Sequence, residues 1–226
     1  MLTTGSHTTT TAATTAAVPY LAIGVISAPE YAARRDSLRA SWLRWPEVGR
    51  GQPVRVLFVV RSAGAPDALE CQLDVEQRRH DDIERVAVAW NESRLRGPVL
   101  SLAAWLELAT RRFSAAAFVA KMDDDAYLHV PDLVALLRTI ESTPSHAPLT
   151  YVGPMSWFHW HPNIFERSGF GWYFSEAYKT GAFCRNATAA EERCGHAGCG
   201  GCVGPFPFAS GFLIVLSTPL AAQART

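Results

Sequence analysis

With 226 residues, 48% of them hydrophobic and 19% charged, the chain has the composition of an ordinary globular domain. Its 21 basic and 21 acidic residues cancel, so the overall charge gives no reason to expect a nucleic-acid partner. No apolar run approaches the roughly 20 residues of a membrane-spanning helix, so membrane association is expected only through a segment not in this chain.

Residues 1–18 are expected to form a disordered leader ahead of a domain at 19–226. They are rich in Thr (Thr3, Thr4, Thr8 to Thr11, Thr14, Thr15) and lack the basic and apolar regions of a signal peptide. Tyr20 to Ser27 is a short apolar run and reads as a buried strand. Tyr31, Leu38, Trp42 and Trp45 recur at helical spacing, which predicts a helix from Glu30 to Trp45, stopped by Pro46. Val54 to Val60 predicts a second strand, Asp67 to His80 a helix, and Ile83 to Ala89 a third strand. A helix at Val99 to Phe113, entered at Pro98, leads to a fourth strand at Ala116 to Met122. Pro131 to Ile140 predicts another helix and Leu149 to Val152 a brief strand. Between about 156 and 204 the pattern gives way to a Cys-rich excursion full of aromatics and Gly. Phe212 to Leu216 returns as a strand, with a helix start at Thr218-Pro219. Strand and helix alternate repeatedly, so the fold class is α/β: a mostly parallel, Rossmann-like sheet with helices on both faces.

The fourth strand runs straight into Asp123, Asp124 and Asp125. Open parallel sheets bind ligands at the carboxyl ends of their strands. Side chains two apart on an extended segment point the same way, so Asp123 and Asp125 can converge on one cation, and Asp123 and Asp124 are candidates for binding the diphosphate. Carboxylate ligation suits a hard ion such as Mn²⁺ or Mg²⁺, which can bridge phosphates and neutralise a departing diphosphate. Three adjacent acids are otherwise a costly solvated turn. An EF-hand loop is excluded because Leu128 stands where Gly is required. A metal-dependent phosphatase is an alternative, as is a non-catalytic lumenal module that binds sugar nucleotides or glycans.

Several motifs in order resemble the beta-1,3-galactosyltransferase-like inverting glycosyltransferases, which include the fringe and core-1 relatives. Arg34-Arg35-Asp36-Ser37-Leu38-Arg39-Ala40-Ser41-Trp42 is similar to the family's "RRxxIRxTW". Glu76 through His80 to Asp82-Ile83 resembles "ExxxHxDI", and Phe118 through Lys121 and the aspartates to Leu128 resembles "FxxKxDDDxFV". Tyr151-Val152-Gly153 is similar to "YxG", and Phe206 through Ser210-Gly211 to Ser217 to "YPxYxSGxxYxxS". The resemblance covers about Pro19 to Ser217. It implies a GT-A fold and inverting transfer of a hexose, galactose or N-acetylhexosamine in type, from a UDP-sugar to a glycan or glycoprotein acceptor. It also implies Mn²⁺ and a Golgi lumen setting, as a type II membrane protein in full-length form. The family's acidic "EDV" motif, expected to carry the catalytic base, falls beyond Thr226. This chain alone is therefore expected to bind UDP and metal but to transfer sugar poorly.

Among the arginines, Arg34 reads as part of a solvated helix face, while Arg39 either holds the diphosphate or shares that face. Lys121 either balances the aspartates toward the donor or forms a structural ion pair. Trp172 matches a family tryptophan and, with Gly211, is a candidate for substrate contact; aromatics in a long excursion also serve as local core. Cys184, Cys194, Cys199 and Cys202 crowd together beside a glycosylation sequon at Asn186, with another sequon at Asn91. Zinc ligation by Cys194, His196, Cys199 and Cys202 is cramped, so two disulfides among the four cysteines, with Cys71 free, is the expected state.

Overall fold

A computed structural model of the protein describes residues 18–143, 148–160, 203–209 and 211–224. In chain order these form β1 (Leu21–Ser27), α1 (Ala32–Ala40), β2 (Val54–Ala63), α2 (Asp67–His80), β3 (Ile83–Ala89), α3 (Arg96–Arg112), β4 (Phe118–Asp123) and α4 (Val130–Ser142). β5 (Tyr151–Val152), β6 (Met155–Trp160), β7 (Val203–Ala209), β8 (Leu213–Ser217) and α5 (Thr218–Ala224) follow. The strands and helices expected through α4 are all present. The helix expected over Glu30 to Trp45 is divided: short 3-10 turns at Pro29–Tyr31 and Trp42–Arg44 flank α1. Ser41 has φ −116° and ψ −109°, which breaks the helix and drives Trp42 into the core at 1% exposure.

Six strands make one sheet in the order β3-β2-β1-β4-β8-β5. β3, β2, β1 and β4 run parallel; β1, β2 and β4 are near-continuous apolar runs, as strands covered on both faces require, whereas β3 alternates at the sheet's edge. β8 is antiparallel to both β4 and β5. One face packs Leu21, Ile23, Val25, Phe58 and Met122 against Leu38 of α1, Leu73 of α2 and Leu133, Val134 and Leu137 of α4. The other packs Ala22, Leu57, Val59 and Val119 against Trp105, Leu106 and Ala109 of α3 and Ala221 of α5. At the two ends of the stretch expected to lack regular pattern, β6 and β7 pair antiparallel as a separate two-stranded sheet. Residues 1–17, Trp172 and the cysteines at 184, 194, 199 and 202 lie outside the described residues, and with them the expected leader and disulfides. Cys71 is free and exposed.

Trp105 ties α3 to the sheet. Its indole Nε1 donates to the Ala120 carbonyl at 2.8 Å, and its ring lies over Gly24 of β1. A Cβ at Gly24 would meet the ring at 2.4 Å, a contact that neither the buried indole nor the central strand can relieve. Gly24→Ala is therefore expected to lower stability by roughly 1–3 kcal/mol through overpacking, read from a shift in the denaturant midpoint at unchanged slope.

Candidate donor site

The chain leaves β1 for β2 on one side, while β4 lies on the other. The carboxyl ends of β1 and β4 therefore flank the point where strand order reverses, the usual ligand position in such sheets. A cleft of about 190 Å³ opens there, lined by Ile26, Ser27, Ala28 and Tyr31 after β1, Arg61 from β2, Arg94 and Pro98 beside α3, and Asp123 to Asp125 after β4.

The three aspartates have different surroundings. Asp124 is buried, and both its oxygens are engaged: Ser27 Oγ donates at 2.7 Å and Arg34 Nη1 at 2.8 Å. Its role is to join the ends of β1 and β4. Asp123 accepts from Lys121 Nζ on one oxygen and is 39% exposed; Lys121 also donates to the Gly211 carbonyl. Asp125 is 67% exposed, with Arg34 at 3.6 Å. All three line the cleft, but Asp123 and Asp125 are far more exposed there than Asp124, whose side chain is 7% exposed. Among the described residues no three His, Cys, Asp or Glu side chains form a closed metal cage. The pair Asp123 and Asp125 still fits a hard cation that takes its other oxygens from phosphate and water.

The arginines are arranged differently from the sequence expectation. Arg34, expected on a solvated face, reaches the aspartates and lies over the Tyr31 ring at 4.3 Å. Its hydrogen bond to Asp124, reinforced by that carboxylate's charge, raises its pKa. Arg39, a candidate for the diphosphate, is not among the cleft residues. It grips Asp82 bidentately at 2.7 and 2.8 Å and pairs with Glu76 at 2.7 Å. Burial opposes its charge, but Asp82 and Glu76 more than offset this and push its pKa up. α2 ends on Asp81 in the left-handed region, at φ 53°, which turns the chain so that Asp82 meets Arg39. Arg35 is fully buried. It donates to Ser27 Oγ at 3.1 Å, to the carbonyls of Ala28 at 2.6 Å and Pro29 at 3.2 Å, and to both oxygens of Glu76.

The chain matches the family described as Galactosyltransferase over residues 33–223, most of its length. It belongs to the galactosyltransferase family. Among curated relatives, it is 32% identical over 124 residues to the Homo sapiens acetylgalactosaminyl-O-glycosyl-glycoprotein beta-1,3-N-acetylglucosaminyltransferase, covering 53% of this chain and 31% of that protein. It is 34% identical over 143 residues to the Homo sapiens UDP-GlcNAc:betaGal beta-1,3-N-acetylglucosaminyltransferase 8, covering 60% and 32%. It is 32% identical over 120 residues to the Mus musculus beta-1,3-galactosyltransferase 4, covering 53% and 30%. The matched segment spans about a third of these relatives. The six-stranded, mostly parallel sheet is consistent with a GT-A-like member of the galactosyltransferase family. Among the described residues no helix is long and apolar enough to cross a membrane.

Glu76 gives this galactosyltransferase family member a pH signature. Burial alone would raise its pKa, but the hydrogen bonds and charges of Arg35 and Arg39 outweigh that and hold it below its ordinary 4.5. A depressed folded pKa contributes stability above the unfolded value, and that contribution is lost as pH falls through the folded value. Thermal midpoints should therefore drop as pH falls below about 4.5 in the wild type. Glu76→Gln should start lower at pH 7 and lose less over the same window; parallel curves would contradict this origin.

Proposed function

We propose that this chain is the donor-binding part of an enzyme that transfers a hexose from a UDP-sugar to a glycan or glycoprotein acceptor with inversion. The single observation that carries the reading is the cleft at the β1–β4 switch point, where two open carboxylates stand beside a third that is locked into the fold. The names of the relatives support a UDP-sugar donor and a β-1,3-linked hexose or N-acetylhexosamine product. Family membership favours transfer over phosphate hydrolysis, the alternative raised by the aspartates alone.

On this reading Asp123 and Asp125 hold a divalent cation, Mn²⁺ or Mg²⁺. Such an ion, when bound, would supply positive charge against the departing diphosphate. Asp124 binds no ligand directly: through Ser27 and Arg34 it fixes the two strand ends against each other. Lys121 keeps Asp123 oriented and ties it to the backbone at Gly211, so both residues act on the site by positioning. A Golgi lumen location fits the same reading.

UDP should bind the chain much more tightly with Mn²⁺ than with chelator, by calorimetry. Asp125→Ala should remove that difference while leaving the thermal midpoint nearly unchanged, because its side chain is mostly exposed. Equal UDP affinity with and without metal in the wild type would reject the assignment.

A further inference from the structure

Arg61 is the exception among the buried arginines. Arg35 and Arg39 are each held by carboxylates, whereas Arg61, at 9% exposure, has no carboxylate within 4.0 Å among the described residues. Its Nε donates to the Trp90 carbonyl at 3.2 Å, and its guanidinium lies against Gly97 of α3, where a Cβ would be 3.4 Å from Cζ. These contacts fix the plane of the group. The two terminal nitrogens have no partner among the described residues, yet they are not sealed from solvent, and the side chain lines the cleft. A buried guanidinium with no counter-charge and with its terminal N–H groups unpaired is costly. The fold does not call for one here: Leu57 and Val59 precede it on the same face, and an apolar side chain would continue their packing against α3.

The register shows what it faces. Asp123, Ile26 and Val59 lie in one row across β4, β1 and β2, and Arg61 and Asp125 each stand two residues further along their segments. Two strand spacings of about 4.8 Å separate the rows of β4 and β2, a gap of about 10 Å that long side chains close from either side. The acidic wall already has its own cations in Lys121 and Arg34. Arg61, on the far wall, has none of that wall's acids to itself.

We propose that Arg61 is the protein's own cation for the diphosphate in this cleft, donating its terminal N–H groups to phosphate oxygens turned away from the aspartates. This rests on the nucleoside-diphosphate reading above, and it gives Arg61 the role expected of Arg39. The planar fork suits phosphate oxygens in a way that a lysine ammonium does not.

The test is calorimetric titration of UDP into the 226-residue chain with saturating Mn²⁺, comparing wild type, Arg61→Met and Arg61→Lys. Methionine extends the apolar row, so that variant should fold, and a thermal midpoint checks it. UDP affinity should fall about ten- to a hundredfold in Arg61→Met, the range for losing a charge-assisted contact, and less in Arg61→Lys. Mn²⁺ binding without nucleotide, followed by the paramagnetic resonance of free ion, should be the same in all three. UDP affinity within about twofold of wild type in both variants would overturn the assignment. So would a parallel loss of Mn²⁺ binding, which would make Arg61 a support for the acidic wall. A wild type that binds no UDP would overturn the nucleoside-diphosphate reading itself and this proposal with it.

Discussion

The site depends on one buried arginine. Arg35 takes hold of Ser27, of the carbonyls of Ala28 and Pro29, and of Glu76, and so decides how the chain leaves β1. Without it, three polar groups at the mouth of a parallel sheet would have to find water in a place that α1 and α2 close off. With it, Ser27 Oγ is aimed at Asp124, and the end of β1 becomes part of the same hydrogen-bonded unit as the end of β4. The charge is tolerable only because Glu76 is brought to it from α2, and Arg39 with Asp82 extends the pairing toward β3. The ion pairs behind the cleft hold its geometry, while Asp125 in front of it stays largely exposed.

The aspartates divide in the same way. Three adjacent carboxylates repel one another, and the fold relieves this by giving each a different partner: Ser27 and Arg34 for Asp124, Lys121 for Asp123, solvent for Asp125. Burial follows from that division, with Asp124 enclosed and Asp125 left largely exposed.

Much of this was readable from the residues. Alternating apolar runs and helical periodicity placed the first four strands and their helices, because a two-sided buried sheet demands such runs. The position of the aspartates after the fourth strand pointed to the candidate site, where a cleft opens. The individual arginines were not readable, since Arg34, Arg35 and Arg39 share one helix and only the surrounding carboxylates, brought from distant segments, tell them apart. Arg61 follows the apolar run that ends at Val60 but still lies inside β2, in line with Leu57 and Val59; a charge extending that buried row was the available signal. β7 escaped because Pro205 and Pro207 lie inside it, and proline argues against a paired strand unless the strand is at an edge, which is where a two-stranded sheet puts it.

β8 enters beside β4 from the far end of the excursion. There Gly211 accepts from Lys121, the carbonyl of Phe212 accepts from the amide of Asp123 at 3.1 Å, and Ser217 is received by the carbonyl of Pro148. The acidic wall is thus clamped by a segment that arrives late in the chain, well after β5 in sequence. Closing a loop costs only about 0.6 kcal/mol more for each doubling of its length. The length of sequence between β5 and β8 can therefore change over evolutionary time with little thermodynamic penalty to the sheet that carries the aspartates.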